Sequence, residues 1–417
     1  MTHVNRRLLT GNAAAAWGAR LAEADYVPAF PITPQTEIIE TLGRWYERGE
    51  AAGRLVMLES EHSMLTAAAA AAATGVRVFT ATSSQGLLYA MEMIYAVPGW
   101  RAPFVLVNVS RALATPITLE PDHTDVLAAR DSGFLQMHCA TCQEVVDSVL
   151  IAYRLAEHPR VRLPAIVNLD GFYLSFTREP VDLPEADAAR AFLQPFDPGK
   201  AAFRASKPVS QAVAVLGGSA YSYFRYETHL ASMAALAAYD EVAQDFARRF
   251  GRRHAAVECH RAEDAEVAFL MIGAFSTKAL EAVDRLRAQG IAAGLVRPRL
   301  LRPFPVAALR QALLGRRAVA VVDQNLSMGK GGVLAMELAS ALYGCPGAPV
   351  IASYVGGLGG RDIGPGEFEA MAKEALEAAR TGEAPPPRLL YTAAELREVR
   401  KLQAIALAER RETGATP

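Results

Sequence analysis

The stretch Val76–Gly86, which reads VRVFTATSSQG, decides the fold class because it joins a strand to the start of a helix. Residues 76–80 are strand-like, the polar turn Ser83–Gly86 follows, and an amphipathic segment begins directly after the turn. A strand that passes through a short polar turn into a helix is the repeating unit of a parallel sheet covered by helices. The stretch therefore predicts an α/β fold.

The same unit recurs on both sides of this stretch. Asn12 can cap a helix that precedes the first strand, and another helix is predicted over 143–157. The alternation predicts a parallel-sheet domain over residues 1–174. The other strands predicted for this domain lie at 26–30, 55–58, 104–109 and 165–169.

The regular alternation stops after residue 174. Residues 175–260 are predicted to form a proline-rich extended arm and a helix that starts near Glu227, and to belong to the first domain or to an interface. Strand-like and helix-like segments alternate again over 261–365, which predicts a second, smaller α/β domain. The charged residues 366–417 are predicted to form a C-terminal helical tail.

The charge balance excludes some classes of partner. The chain of 417 residues carries 43 Lys and Arg against 44 Asp and Glu, without a long run of one sign. We therefore expect no nucleic-acid partner, and the lack of a long apolar segment predicts no membrane span. The N-terminus has no apolar leader segment, which predicts a cytoplasmic protein.

Two of the four cysteines, Cys139 and Cys142, stand close together. Such a pair suggests a metal or redox site, but the site would need further ligands, and Cys259 and Cys345 stand alone. Buried, inert thiols are the interpretation we favour, and no metal site is predicted in this chain.

Polar residues follow four successive strands of the first predicted domain. Ligands bind beyond the carboxyl ends of the strands in open parallel sheets, so these residues are expected to line one crevice. They are Thr33, Glu61, Gln85 and Arg111.

Five segments together resemble the alpha subunit of the pyruvate:ferredoxin (2-oxoacid:acceptor) oxidoreductase family. The resemblance covers residues 8–365 and rests on the order and spacing of the segments. They are Gly11–Ala15, Phe30–Pro34, Ser60–Ser63, Thr80–Gly86 and Gly357–Asp362.

The resemblance implies a fold and a reaction. The first domain is expected to bind the pyrimidine half of thiamine diphosphate, and the second to be similar to the C-terminal domain of transketolases. The implied reaction is oxidative decarboxylation of a 2-oxoacid, such as pyruvate or the aromatic phenylglyoxylate, with coenzyme A as co-substrate. The products are acyl-CoA and CO2, and the electrons pass to ferredoxin or NAD.

The resemblance also implies partner subunits, without which the chain is expected to be inactive. A beta subunit of this family marks its diphosphate and Mg site with Gly-Asp-Gly, whereas Asp170–Gly171 follows a leucine here. Mg and 4Fe-4S clusters are therefore expected on partners. These partners are a beta subunit, a gamma subunit, a ferredoxin-like delta subunit and possible flavin or NAD subunits.

Site residues follow from the resemblance, position by position. Glu61 matches the catalytic glutamate that hydrogen-bonds the cofactor's aminopyrimidine, and Pro31 and Gln85 are expected beside the same ring. Thr33 and Arg111 are expected to bind the 2-oxoacid carboxylate. Each has a structural alternative: Glu61 as a helix-start carboxylate, Gln85 in an ordinary turn, Thr33 as a helix cap and Arg111 in a surface ion pair.

Other features leave alternatives open. Gly329–Gly332 resembles a phosphate-binding nest, but close packing or an interface is favoured, and Gly356–Gly360 is expected at an interface. Phe30, Met64 and the loop 113–119 would suit an apolar or aromatic acyl group, or belong to the core. The whole chain could instead be a noncatalytic assembly subunit, or half of a non-redox transketolase-type enzyme. His62, Asp122 and His123 are assigned no role.

Overall fold

Two mainly parallel sheets organise the chain, and the buried segment Val105–Ser110 is a central strand of the first. The structure is a computed structural model that describes residues 5–198 and 202–412. The elements of the first half are β1 (Asn5–Thr10), α1 (Gly11–Leu21), β2 (Tyr26–Ala29), α2 (Thr36–Glu47), β3 (Arg54–Met57), α3 (Glu61–Thr74), β4 (Phe79–Thr82), α4 (Gln85–Tyr89), α5 (Met91–Trp100), β5 (Val105–Ser110), α6 (Thr124–Ala128), β6 (Leu135–His138), α7 (Cys142–Ala156), β7 (Ala165–Asp170), β8 (Arg178–Leu183), α8 (Ala186–Leu193) and α9 (Gly218–Phe250).

The second half begins with an edge strand and ends with a long helix. A 3-10 turn at Leu358–Gly360 precedes its last two long helices. The elements are β9 (Val257–His260), β10 (Val267–Leu270), α10 (Ser276–Ala288), β11 (Ala293–Pro298), β12 (Leu300–Arg302), α11 (Val306–Leu313), β13 (Ala318–Asp323), α12 (Val333–Leu342), β14 (Val350–Val355), α13 (Pro365–Thr381), β15 (Arg388–Leu389) and α14 (Ala393–Glu412).

The first sheet has the strand order β12-β6-β7-β5-β4. Strands β4, β5, β7 and β6 are parallel, which confirms the predicted parallel α/β sheet, and β12 pairs antiparallel with β6. A parallel pair, β2 and β3, lies beside β4 through a bridge between Tyr26 and Val78. The predicted strand at 76–80 therefore starts as this bridge and continues as β4. The carboxyl ends of β2, β3, β4 and β5 meet at one edge, where the predicted site residues follow them.

Residues 175–260 contain more regular structure than an extended arm. Strand β8 pairs antiparallel with β1, and helix α8 follows Pro184 although the prolines around it favour an irregular segment. Helix α9 begins at Gly218, before its predicted start, and its buried Tyr239 and Phe246 belong to the core of the first unit. This part of the chain thus packs on the first sheet.

The second sheet has the order β15-β14-β13-β10-β11-β9, parallel except for the edge strand β9. Helix α13 covers this sheet: Phe368 lies edge-on to Phe269, with ring centroids 5.3 Å apart, and Met371 is buried. The second unit therefore continues past residue 365, where a tail was predicted, because α13 supplies part of its core. Helix α14 is largely exposed over residues 393–408. No helix within 5–198 and 202–412 combines the length and apolarity needed to cross a membrane.

A buried cluster of charges joins the two units. Arg297 on β11 donates two hydrogen bonds, of 2.6 and 2.9 Å, to the Glu144 carboxylate on α7. Arg299, which is fully buried, lies 3.2 Å from the same carboxylate, and Glu258 on β9 pairs with both arginines. Burial alone would raise the pKa of Glu144, but the two guanidinium groups outweigh it and hold this pKa at about 2.

The substitution Glu144→Gln is expected to lower the free energy of unfolding at pH 7 by about 3 kcal/mol, because two buried guanidinium groups lose their main counter-ion. A depressed carboxyl pKa contributes stability above its unfolded value, and this contribution is lost as the pH falls from 4.5 toward about 2. The difference in the free energy of unfolding between wild type and variant should therefore decrease as the pH falls over that range. Urea unfolding at several pH values measures it.

The matched control is Glu281→Gln, which breaks an exposed pair with Arg285 on one helix. It should change stability by less than about 0.5 kcal/mol. Equal effects of the two substitutions would mean that the buried cluster is not what holds the units together.

Candidate functional site

The loop that follows β2 is fixed by side chains from two helices. Asn12 Nδ2 donates to the carbonyl of Pro34 at 2.8 Å, and Gln35 Nε2 donates to the carbonyl of Phe30 at 2.8 Å. Asn12 and Gln35 are fully buried, whereas Pro31 and Thr33 between them are exposed. The loop thus presents Pro31 and Thr33 to solvent on a rigid base. Thr33 does not cap α2, whose N-cap position is Gln35.

Arg111 connects three of the predicted site residues. It directly follows β5, and its side chain is 7% exposed. Nη1 donates to the carbonyl of Thr33 at 2.8 Å, and Nη2 donates to Gln85 Oε1 at 3.2 Å. The predicted convergence of Thr33, Gln85 and Arg111 is therefore present in the fold. A surface ion pair for Arg111 is wrong, because no carboxylate of the described residues forms an ion pair with it and Arg111 is buried.

The Arg111 guanidinium retains hydrogen-bonding capacity. Its Nε is buried and has no partner in the described residues. Burial lowers the pKa of Arg111, and the nearby Asp125 carboxylate opposes this shift. A desolvated guanidinium with free donors is a strong binding group for a carboxylate.

Glu61 is the first residue of α3 and is 5% exposed. Ser60 already caps this helix, since its Oγ accepts from the amide of Ser63 at 3.1 Å. The Glu61 side chain makes no hydrogen bond within the described residues, although it is buried. Ser60 therefore supplies the side-chain cap of α3, while Glu61 stands at the start of the helix, as the structural alternative has it, with no hydrogen-bond partner in the described residues.

Gly86 brings Glu61 to the same crevice as Gln85. A Cβ at position 86 would lie 2.5 Å from Glu61 Oε1 and 2.5 Å from Thr82 Oγ1. Thr82 Oγ1 is itself buried without a hydrogen-bond partner in the described residues. Glycine is required at this position because the carboxylate occupies the space that any side chain would fill. Glu61, Gln85, Arg111 and Thr33 thus surround one end of the sheet.

A buried polar network that sequence patterns did not single out lies beneath these residues. Its centre is Asp125 on α6, which is fully buried. Asp125 accepts from Ser110 Oγ at 2.6 Å and from Asn108 Nδ2 at 3.1 Å. Asn168 Oδ1 lies 2.9 Å from both of these donors. The available signal was the occurrence of Asn and Ser inside the apolar strands 105–110 and 165–170.

A second buried pair joins the site edge to the second unit. His123 Nε2 lies 2.6 Å from Asp170 Oδ1, and both side chains are fully buried. Asp170 Oδ2 accepts from the amide of Ala274, so the pair links both sheets. Burial opposes protonation of His123, but Asp170 outweighs it and raises the pKa of His123. The pKa of the neighbouring His138 is lowered by burial and by His123.

The glycine-rich segment 329–332 is not an open phosphate nest. Asp323 accepts from the amides of Leu334 and Ala335 at 2.7 and 3.1 Å, and so occupies the start of α12. A Cβ at Gly332 would lie 2.0 Å from Asp323 Oδ2. Close packing, the favoured alternative, therefore explains the glycine at 332.

Gly359 and Gly360 meet the first unit, whereas Gly357 packs against Phe275 and Gln324 of the second unit. Gly360, at φ +77°, lies against Glu120, where a Cβ would be 2.9 Å from the Glu120 Cβ. Between these units a cleft of about 680 Å³ begins beside Arg111, at Ala112, and is lined by the loop 113–118 and by Met328. Met64 is fully buried in the core and is therefore not available to an acyl group, whereas Phe30 packs against the same core and remains partly exposed.

The Cys139 and Cys142 thiols are both fully buried. Burial raises the pKa of Cys139 to about 12 and also raises that of Cys142. They are inert thiols, as favoured from the sequence. No group of three or more His, Cys, Asp or Glu that could hold a metal occurs in the described parts of the chain.

Two family models match this chain. The model described as "Pyruvate flavodoxin/ferredoxin oxidoreductase, thiamine diP-bdg" matches residues 17–246, more than half of the chain. The model described as "Pyruvate:ferredoxin oxidoreductase core domain II" matches residues 265–368.

Relatives are similar over nearly their whole length. Pyruvate synthase subunit PorA of Methanothermobacter thermautotrophicus is 38% identical over 88% of this chain and 94% of the relative. The PorA of Thermotoga maritima is 38% identical over 89% of this chain and 95% of the relative. Ketoisovalerate oxidoreductase subunit VorA of Pyrococcus horikoshii is 38% identical over 90% of this chain and 95% of the relative.

A solved structure has the same fold. It is the 2-oxoglutarate:ferredoxin oxidoreductase from Magnetococcus marinus with 2-oxoglutarate, coenzyme A and succinyl-CoA bound. The match has a TM-score of 0.67 at 19% identity and covers 90% of this chain and 66% of that one.

The substitution Gly86→Ala is expected to lower the free energy of unfolding by about 1–3 kcal/mol, because the new methyl group must displace the Glu61 carboxylate or the Thr82 hydroxyl. Gly43→Ala is the matched control in a helix, since a Cβ there meets nothing within 4 Å. The control should stabilise by about 0.5–1 kcal/mol. Denaturant unfolding measures both, and a Gly86→Ala protein as stable as wild type would show that Glu61 moves aside freely.

Proposed function

Because the chain belongs to the pyruvate:ferredoxin oxidoreductase family, we propose that it is the alpha subunit of a thiamine-diphosphate-dependent 2-oxoacid:ferredoxin oxidoreductase whose 2-oxoacid is pyruvate. The relatives reported above are named as subunits, and the PorA relatives carry pyruvate in their names. The VorA relative, which is equally identical, favours a branched-chain 2-oxoacid as the second candidate. Phenylglyoxylate stays a prediction from the sequence.

The observation that carries the proposal is the state of the buried carboxylates. The described residues contain five buried acidic side chains: Glu61, Asp125, Asp147, Asp170 and Asp323. The four aspartates accept hydrogen bonds from within the chain. Glu61 accepts none. The Glu61 oxygens are not among the buried side-chain atoms that lack a partner, so they border open space in the crevice and are available to a donor from outside the chain.

These residues fit the pyrimidine half of thiamine diphosphate. Glu61 would hydrogen-bond the pyrimidine N1′, and Pro31 and Gln85 would border the ring. The unpartnered Thr82 hydroxyl lies near the Glu61 carboxylate, which fills the space that a Cβ of residue 86 would take. When bound, thiamine diphosphate supplies the carbon nucleophile for attack on the 2-oxoacid. Glu61 would hold or release a proton at N1′, and so control when the cofactor is activated.

Arg111 and Thr33 would orient the 2-oxoacid. The Arg111 guanidinium is held by the Thr33 carbonyl and by Gln85, so its direction is fixed before substrate arrives. Its free donors and the exposed Thr33 hydroxyl would bind the substrate carboxylate. The cleft that begins at Ala112 would receive the acyl end.

The remaining parts of the reaction require other subunits. We assign the diphosphate and Mg site to a beta subunit, and the 4Fe-4S clusters to beta and ferredoxin-like delta subunits. A gamma subunit, and a flavin or NAD subunit where NAD is the acceptor, complete the assembly. Coenzyme A is the acyl acceptor. This chain alone is expected to be inactive, because it supplies one wall of the crevice.

The proposal predicts which substrate the assembled complex oxidises. The complex, copurified with its native partners, should reduce an electron-accepting dye in a reaction that requires coenzyme A and a 2-oxoacid. Pyruvate should give the highest kcat/KM in a panel with 2-oxoisovalerate, 2-oxoglutarate and phenylglyoxylate. A higher kcat/KM for 2-oxoisovalerate or phenylglyoxylate would mean that this acid, and not pyruvate, is the substrate. A complex without thiamine or iron-sulfur partners would favour an assembly or transketolase-type role.

The substitution Glu61→Gln is expected to reduce kcat in the same assay by at least about 100-fold, because the amide cannot exchange a proton with N1′. The complex should still assemble and retain thiamine, which is measured by extraction. Glu59→Gln is the matched control two residues away: Glu59 is exposed and only accepts from Ser63 Oγ. Full activity of the Glu61→Gln complex would mean that Glu61 has no catalytic role and that the crevice is only structural.

A further inference from the structure

Asp125 is buried behind the crevice and contacts none of the residues expected to touch substrate. Its side chain accepts four hydrogen bonds. Oδ1 accepts from Ser110 Oγ at 2.6 Å and from the amide of Val126 at 2.7 Å, and Oδ2 accepts from Asn108 Nδ2 at 3.1 Å and from the amide of Ser84 at 2.9 Å. Four donors from three elements fix this carboxylate in position.

The last of these bonds acts on an unusual backbone conformation. Ser84 has φ +49° and ψ −119°, in the region that L residues rarely adopt. Such a conformation persists only where surrounding contacts enforce it. The Asp125 carboxylate is the partner of the Ser84 amide, so it is one of the contacts that hold this turn.

The backbone turn at Ser84 also orients Gln85. Ser84 Oγ lies 2.7 Å from Gln85 Oε1 and 2.9 Å from the carbonyl of Ala112. Gln85 Oε1 also accepts from Arg111 Nη2 at 3.2 Å. Arginine can only donate, so Gln85 supports Arg111 only when its amide oxygen, and not its nitrogen, faces the guanidinium. The Ser84 hydroxyl supports that orientation when its one hydrogen points to Gln85 Oε1 rather than to the Ala112 carbonyl.

We propose that Asp125 is a positioning residue for substrate binding, acting through Ser84 and Gln85 to aim the Arg111 guanidinium at the 2-oxoacid carboxylate. This inference rests on the proposed function, in which Arg111 binds that carboxylate. Loss of the Asp125 carboxylate releases the Ser84 turn, and Gln85 then no longer holds one end of the guanidinium. The other end stays on the Thr33 carbonyl. Binding of the 2-oxoacid should suffer more than the chemical step.

The test is a double-substitution cycle in the assembled complex, assayed with the best 2-oxoacid of the panel. Asp125→Asn keeps the shape but turns one oxygen into a donor, and should raise the KM for the 2-oxoacid by about tenfold or more. The KM for coenzyme A and the retained thiamine should change less than about twofold. Arg111→Lys should raise the same KM at least as much. The double variant should be no worse than Arg111→Lys alone, because both act through one group.

Ser84→Ala and Tyr153→Phe separate positioning from stability. Ser84→Ala keeps Asp125 but removes the hydroxyl that orients Gln85, and should also raise the KM for the 2-oxoacid, so the test survives if Asp125→Asn does not assemble. Tyr153→Phe removes another buried hydrogen bond, of 2.9 Å to the carbonyl of Val78, and should lower stability without moving that KM.

The outcomes distinguish two failures. If Arg111→Lys leaves the KM for the 2-oxoacid unchanged, the carboxylate-binding role of Arg111 in the proposed function is wrong. If Arg111→Lys raises this KM but neither Asp125→Asn nor Ser84→Ala does, the positioning role of Asp125 is overturned while the function stands. Full additivity in the double variant also overturns it, because Asp125 would then act independently of Arg111.

Discussion

The need to supply hydrogen bonds to one buried carboxylate shapes the carboxyl edge of the first sheet, where the proposed site lies. Asp125 lies where water cannot solvate it, and an unpaired charge there would be strongly destabilising. Donors must therefore come from its neighbours, which explains why Asn108 and Ser110 interrupt the apolar strand β5. The amide of Ser84 also donates a hydrogen bond to Asp125, and this bond fixes the turn that follows β4. The edge is thus rigid before any ligand binds, and a rigid edge is what orientation of a small substrate requires.

The junction between the units extends this rigidity. His123 precedes the helix that carries Asp125, and it pairs with Asp170 at the end of β7. Asp170 also accepts an amide of the second unit, at Ala274, and the His123 amide donates to the carbonyl of Gln324. On the other side of the first sheet, Arg297 and Glu144 form a second connection. The second unit is therefore held against the first by buried polar contacts on two sides, and the cleft beside Arg111 has two fixed walls.

Much of the fold and part of the site follow from the sequence because they depend on local patterns. Buried strands that end in polar turns give the parallel sheet, and the geometry of such sheets brings Thr33, Gln85 and Arg111 together. Helix α8 could not be predicted from the sequence, because its packing against the core outweighs the preference of the surrounding prolines for irregular structure. The continuation of the second unit into α13 likewise depends on Phe368 meeting Phe269 in three dimensions. The role of Asp125 could not be predicted from the sequence, because three of its four donors, on Ser84, Asn108 and Ser110, are distant from it along the chain.

The number of hydrogen bonds accepted, rather than residue type, distinguishes the buried carboxylates of this chain from one another. Glu61 and Asp125 both lie in the first turn of a helix, where a carboxylate beside the helix N-terminus needs no ligand to explain it. Their surroundings differ. The Asp125 carboxylate accepts four hydrogen bonds, whereas the Glu61 carboxylate lies beside the Cα of Gly86 and the unpartnered hydroxyl of Thr82. Gly332 meets Asp323 as closely, yet that carboxylate is already bound to two amides. A glycine that makes room for an acid is therefore not by itself a mark of a binding site. It supports a proposed binding site where the acid has no other partner, and in the described residues Glu61 is the buried acid for which this holds.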